Sequence, residues 1–376
     1  MYSVPKSVSK MERIPNSPKS YNNSLNQQRS LILFHSAIKS PKTKQQYQTY
    51  LNDFLKYFLI KSHDKLIQIE SKKLQEMIED YVIYHKNKGC SASLIAGKLA
   101  ALKLFFSMND ILVNWDKVRK MLPEKKKLTG DRAYSNEEIQ ILLKNTINLE
   151  YRSLINFMSA SGVRVGCFEE LKINDLEDMP NGCKSVRVYG DTIHEYYTFI
   201  HAEAVRSLDD YLESRKRGGE ILTSDSWVFC SPLDTSKPLP ADTITSTMGR
   251  YVKKTLGREK AQSGRYKIMS CHGLRKRFDT ILKSNKDVNL SLAERLMGHS
   301  QTIPLDNSYF KPVIEQLFEE YQKVISTLVI DDRYRMIEEL KNKDKKIHEL
   351  ESDKDMRITM LESHVLELAN RLNSRS

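Results

Sequence analysis

The stretch PEKKKLTGDR, residues 123–132, decides more about this chain than any other segment. Proline and glycine break helices, and a run of lysines resists burial, so no regular element crosses it. On both sides apolar residues recur at helical spacing. The chain must therefore fold as two patterned bodies joined by a basic linker, and 376 residues allow each a core of its own.

Before the linker, residues 1–34 are rich in Ser, Asn, Lys and Pro. Such a composition buries too little surface to offset ordering entropy, which predicts a disordered basic arm. Residues 35–122 read as a bundle of short helices. Tyr47, Tyr50, Leu51, Phe54, Leu55 and Phe58 recur at three and four, forming one broad apolar face. SKKLQEMIEDYVIYHKNKG repeats the pattern and stops at Gly89, a C-cap signal. In SASLIAGKLAALKLFF, Ile95, Leu99, Leu102 and Phe106 share a stripe, and Ser91 or Ser93 is the N-cap.

After the linker, residues 133–325 form the second body. YSNEEIQILL carries a capping box, Ser135 with Glu138, and helical pattern runs to about residue 176. KSVRVYG and EYYTFIH then alternate like two strands joined across DTIH. Helical spacing resumes at EAVRSLDDYLESRKRG. The fold class expected is mainly α with a small β-hairpin. The tail, residues 331–372, has no Pro or Gly. Leu340, Ile347 and Leu350 fit one heptad frame, and Ile358, Leu361, Val365, Leu368 and Leu372 fit another after a stutter, predicting a coiled coil.

Charge narrows the partner. Sixty basic against 48 acidic residues leave a net +12, as expected of a protein that displaces counterions from a polyanion. Lys125, Lys126 and Lys127 in the linker are either solvated surface or lie against a phosphate backbone. The five cysteines include no C-x-x-C pair, which argues against a disulfide framework or a zinc site and for a reducing compartment. No apolar run reaches the roughly 20 residues of a membrane span, so a cytoplasmic location is expected.

Four short motifs could carry chemistry. SASGVRVG sets Arg164 after a Ser-Gly turn in an otherwise apolar stretch, where a guanidinium calls for an anion. CHGLRKRF places His272 and Arg275 three apart on one helical face. LMGHS supplies His299, and ten residues later SYFKP supplies Tyr309. Each is weak alone; their order and intervals are not.

Taken together these motifs resemble the tyrosine recombinase (phage integrase) family, over about residues 35–325. EYYTFI and LDDYLESRKRGGE look most like archaeal-type members. The resemblance implies an N-terminal helical core-binding (SAM-like) domain that clamps DNA and a catalytic domain at 133–325. It also implies double-stranded DNA as partner, self-association as dimer or tetramer on DNA, and action at the nucleoid. Arg164 and Arg275 would neutralise the scissile phosphate with fork geometry. Tyr309 would attack it, His272 would accept the tyrosine proton, and His299 would bind the phosphate or orient the site. The product would be a 3′-phosphotyrosyl enzyme with a free 5′-hydroxyl, formed with no metal or cofactor.

Three departures stand out. The family's hairpin lysine is replaced at its commonest place by Asp191, leaving His194 or Lys184 to protonate the leaving oxygen. Where many members have Glu three residues after the first Arg, this chain has Cys167, with Glu169 and Glu170 beyond. Tyr309 also lies one residue further from His299 than is usual. The leading expectation is a mobile-element integrase. A Xer-like resolvase of chromosome dimers, a catalytically impaired DNA-binding protein of the same fold, and a nicking-closing topoisomerase are the alternatives.

Overall fold

A computed structural model describes residues 29–124, 131–261, 264–299 and 313–373, the last stretch without the side chains of its final residues. The chain divides into two compact units, Met1–Lys127 and Leu128–Ser376.

The first unit is all helix. α1 (Arg29–Ser36), α2 (Pro41–Tyr57), α3 (His63–Ile67), α4 (Ser71–Asn87), α5 (Ala92–Met108) and α6 (Trp115–Lys120) surround one apolar cluster. Local signals set the boundaries: Ser40, Ser62, Ser91 and Asn114 each accept from a backbone N–H of the first turn. Ser91, not Ser93, caps α5. All four residues of the expected α5 stripe are buried, alongside Phe54, Ile78 and Tyr81. The last residues assigned to the arm are part of the helical unit. Residues 29–34 are helical, and Phe34 is fully buried, because the local run LILF supplies apolar surface that the preceding residues lack. Residues 1–28 of the arm, and Lys125, Lys126 and Lys127 of the linker, lie outside the described residues.

In the second unit, α7 (Asn136–Lys144) opens on the Ser135–Glu138 capping box, and α8 (Leu149–Ser161) is buried on nearly every face. The helical reading to residue 176 fails here. Two 3-10 turns, Val165–Glu169 and Ile173–Asp175, lead into strand β1 (Leu176–Met179). β1 pairs antiparallel with β2 (Cys183–Val188), which pairs with β3 (Tyr196–Ile200), so the expected hairpin is two-thirds of a three-stranded sheet. α9 (Ala202–Arg217) follows, then a second strand pair, β4 (Cys230–Ser231) with β5 (Asp234–Pro238). Its sequence, CS and DTSKP, has no apolar alternation, and nothing in the pattern announced it.

The remaining elements are α10 (Ala241–Thr255), α11 (Ser270–Ser284), α12 (Leu290–Leu296), α13 (Ile314–Gln322), α14 (Ile325–Leu328) and α15 (Asp332–Asn373). α11 lies between two apolar clusters: Leu274 belongs to one and Phe278 to the other. Arg277 anchors the chain before the tail. Its guanidinium donates to Ser159 Oγ (3.1 Å), to Asn136, and to the carbonyls of Thr327 (3.0 Å) and Leu328 (3.1 Å). Glu203 adds to the anchor by accepting from the N–H groups of Ile330 (2.8 Å) and Asp331 (2.9 Å). The tail itself is one helix, as its lack of breakers requires, and Leu340, Ile347, Leu350, Ile358 and Leu361 are exposed on it. The side chains of Val365, Leu368 and Leu372 lie outside the described residues. Among the described residues no helix is long and apolar enough to cross a membrane.

Candidate phosphodiester site

The site begins where α8 ends. Gly162 takes a left-handed conformation (φ 62°), and a Cβ there would lie 2.3 Å from the Phe278 ring, so only glycine lets the chain turn against α11. Val163 is buried by that turn and Arg164 emerges exposed. The apolar stretch therefore does not bury the guanidinium; it delivers it to solvent, with Nη1 donating to the Gly298 carbonyl at 3.1 Å.

Arg275 approaches from the other side. It is buried, 6% exposed, and donates from Nη1 to the Gly162 carbonyl and from Nη2 to the Met297 carbonyl, each at 2.5 Å. Burial, and then the neighbouring charge of Arg164, pull its pKa down from the ordinary arginine value. Among the described residues neither guanidinium forms a salt bridge; they donate to backbone carbonyls, and Arg275 also meets the Tyr196 phenol. Two like charges held side by side without a carboxylate between them favour an incoming anion.

His272 sits one turn before Arg275 on α11, exposed. Partial desolvation, then Lys276 and Arg275, lower its pKa below the ordinary imidazole value. The ring is therefore neutral at neutral pH and able to accept a proton.

His299 follows Gly298, whose left-handed φ of 57° closes α12. A Cβ on Gly298 would lie 2.4 Å from the Tyr196 ring. His299 Nδ1 lies 2.6 Å from Glu294 Oε2, and Glu294 Oε1 lies 2.5 Å from Lys283 Nζ, which is also 2.8 Å from Asp279. Burial raises the Glu294 carboxyl, but hydrogen bonds from Lys283 and His299 outweigh it and hold the group below the usual carboxylate range.

The structure thus brings Arg164, His272, Arg275 and His299 from three separate motifs onto neighbouring turns. Tyr309 lies outside the described residues. Tyr321 is fully buried with its hydroxyl on the Ala160 carbonyl at 3.0 Å, unavailable for attack.

Spacing along the chain missed two other tyrosines. Tyr189 and Tyr196, at the end of the β2–β3 hairpin, stand near both arginines, and burial pushes both phenols above the ordinary tyrosine value. The Tyr196 oxygen is enclosed, which disfavours it as a nucleophile. Glu294, Lys283 and Asp279 were also missed. Nothing local in AERLMGH marks a glutamate that folds back onto a histidine.

The hairpin sorts the candidate proton donors. Asp191 is held by Arg187 at 2.6 Å. Lys184 lies at the opposite end of β2, opposite Ile200, and is paired with Asp178. His194 is exposed in the Tyr189–Glu195 turn, between Tyr189 and Tyr196, whose phenols interact with both arginines. Cys167, at the place where the family often has Glu, is buried, and desolvation raises its thiol far above the usual value. Glu169 instead accepts from the Ala241 N–H at 2.8 Å, at the start of α10.

Known proteins extend this picture. Residues 133–312 match the phage integrase family. In fold the chain is similar to the XerH site-specific recombinase bound to difH substrate, at 19% identity over 80% of this chain and 90% of that one, TM-score 0.52. It is likewise similar to the Tn1549 transposon integrase (residues 82–397) in complex with circular intermediate DNA, at 16% identity over 77% and 98% of the two chains, TM-score 0.53. A lambda integrase dimer bound to a core site matches at 18% identity over 78% and 99%, TM-score 0.50. No curated protein sequence matches the chain. The converging arginines, the flanking histidines and the matched segment agree: residues 133–312 carry a phage integrase family domain.

Proposed function

We propose that this protein is a site-specific tyrosine recombinase that cleaves and rejoins double-stranded DNA to integrate or excise a mobile element. One observation carries the reading: Arg164 and Arg275 converge on the Gly162 and Met297–Gly298 turns, and among the described residues neither is paired with a carboxylate. Such a pair of forks is suited to the two non-bridging oxygens of a phosphodiester, and binds them more strongly as charge builds in the transition state. In this reading the Tyr309 oxygen attacks phosphorus, its proton passes to neutral His272, and His299 donates to the phosphate. The bond to the 5′-oxygen breaks, and that oxygen takes a proton from His194, the donor candidate nearer the arginines. The 3′-phosphotyrosyl bond retains the energy needed for religation.

Residues 35–122 act as the DNA clamp, and Lys125, Lys126 and Lys127 of the linker contact DNA phosphates. The tail helix pairs with a second copy, giving dimers or tetramers on DNA. The arm and tail favour a mobile-element enzyme over a compact Xer-like one, and EYYTFI with LDDYLESRKRGGE favours the archaeal-type branch. The site of action is nucleoid DNA in the cytoplasm.

A nicked suicide substrate tests the reading. The wild-type protein should be trapped as a covalent adduct, and Tyr309→Phe should bind the same DNA without forming it. An adduct of undiminished yield with Tyr309→Phe would remove Tyr309 from its role. A gene lying at the border of an inserted element, overlapping a tRNA gene, supports the mobile-element assignment.

A further inference from the structure

Asp279, Glu294 and His299 bring ligand atoms within 4.8 Å of one another, a spacing that suits a metal ion. Lys283 removes that option. Its ammonium stands 2.8 Å from Asp279 and 2.5 Å from Glu294, so the cluster already holds its cation. What the cluster does instead follows from where its members come from. Asp279 and Lys283 continue, at four-residue steps, the face of α11 that carries Arg275. Glu294 belongs to α12, and its backbone carbonyl accepts from the His299 N–H at 3.0 Å.

We propose that Glu294 is a positioning residue for strand cleavage, fixing the His299 ring so that Nε2 is the nitrogen offered to the scissile phosphate. An ionised carboxylate only accepts hydrogen bonds, so the proton in the 2.6 Å contact resides on His299 Nδ1. Nδ1 is thereby committed to the protein. The ring can turn away only by breaking that bond, and Glu294 can turn away only by leaving Lys283.

The turn that carries the ring is restrained as well: Arg275 holds the Met297 carbonyl and Arg164 the Gly298 carbonyl. The two residues just before the ring are thus referred to the groups that meet the phosphate. A ring held this way loses little orientational freedom when DNA arrives, and misplacement of about 1 Å at a reacting centre is worth up to roughly 100-fold in rate.

The inference rests on the reading of His299 as a phosphate ligand, and the experiment separates the two. Full-length protein is assayed on the nicked suicide substrate for rate of adduct formation, with DNA affinity measured by gel shift. His299→Ala should slow the adduct sharply; a wild-type rate there would overturn the phosphate-ligand reading itself. Glu294→Ala should slow it roughly 10- to 100-fold with DNA affinity changed less than about twofold. Glu294→Gln, whose carbonyl can still accept from Nδ1–H, should recover much of that loss and guards against a folding defect in the alanine variant. The double variant, Glu294→Ala with His299→Ala, should be no slower than His299→Ala alone, because both changes remove one function. A wild-type rate for Glu294→Ala, or losses that multiply in the double variant while His299→Ala remains slow, would overturn the positioning role.

Discussion

Arg275 Nη1 lies 2.5 Å from the Gly162 carbonyl oxygen, a bond that closes 113 residues of chain. It ties the helix carrying His272 and Arg275 to the turn that presents Arg164. The two arginines therefore depend on each other's backbone for position, and removing one disturbs the other.

Arg275→Ala should accordingly show two separable losses. The Gly162 and Met297 carbonyls lose their buried donor, which costs about 1–3 kcal/mol for each group left unsatisfied, visible as a lower urea midpoint. Covalent adduct formation should fall far more than DNA affinity does, because the guanidinium contributes most as the phosphorane forms. Arg275→Lys restores charge without a fork spanning both carbonyls and the phosphate, so it should recover binding but little cleavage. A Lys variant with full cleavage would reduce Arg275 to a structural donor.

His201 gives a pH prediction. It is fully buried beside Arg277, neither ring nitrogen has a hydrogen-bond partner among the described residues, and burial followed by the arginine's charge lowers its pKa from 6.5 to about 3. Between those values the unfolded chain binds a proton that the folded one refuses. Stability is thus unaffected above 6.5 and declines as pH falls toward 3, at about 1.4 kcal/mol per unit. At pH 5 the loss from this residue is about 2 kcal/mol. Urea midpoints at pH 7 and pH 5 should converge in His201→Asn relative to wild type, whatever that variant loses in packing. Buried Glu150 and Glu203, whose pKa values are raised, act in the opposite direction in both proteins and cancel in the comparison.

Truncation after residue 335 tests the tail. The shortened protein should be a monomer by light scattering where the full chain associates, and it should still cleave a single site. Recombination between two sites on separate plasmids should drop. An unchanged mass together with undiminished recombination would leave the tail a solitary solvated helix.

Much of this architecture was legible where local chemistry decides it. Ser91 and Ser135 cap helices because their hydroxyls reach the first-turn amides. His272 and Arg275 share a face because three residues span nearly one helical turn. What sequence spacing concealed is long-range. Tyr196 comes to Gly298 only because β3 lies where α12 ends, and Glu294 meets His299 by a turn with no composition signal. β5, reading DTSKP, is held by its pairing with β4 rather than by any propensity of its own. Helicity at residues 29–34 was lost to the polar composition of the residues before them.

The anchor built from Arg277 and Glu203 has a further consequence. Its hydrogen bonds hold Thr327, Leu328, Ile330 and Asp331, just before the tail helix, and nothing described beyond Arg335 is covered by the rest of the protein. The molecule therefore has a modular seam. A different helix grafted after residue 335 would inherit an intact catalytic body and bring its own choice of companion. If the tail pairs copies as proposed, evolution or a protein engineer can change which copies meet without touching the groups proposed to cut.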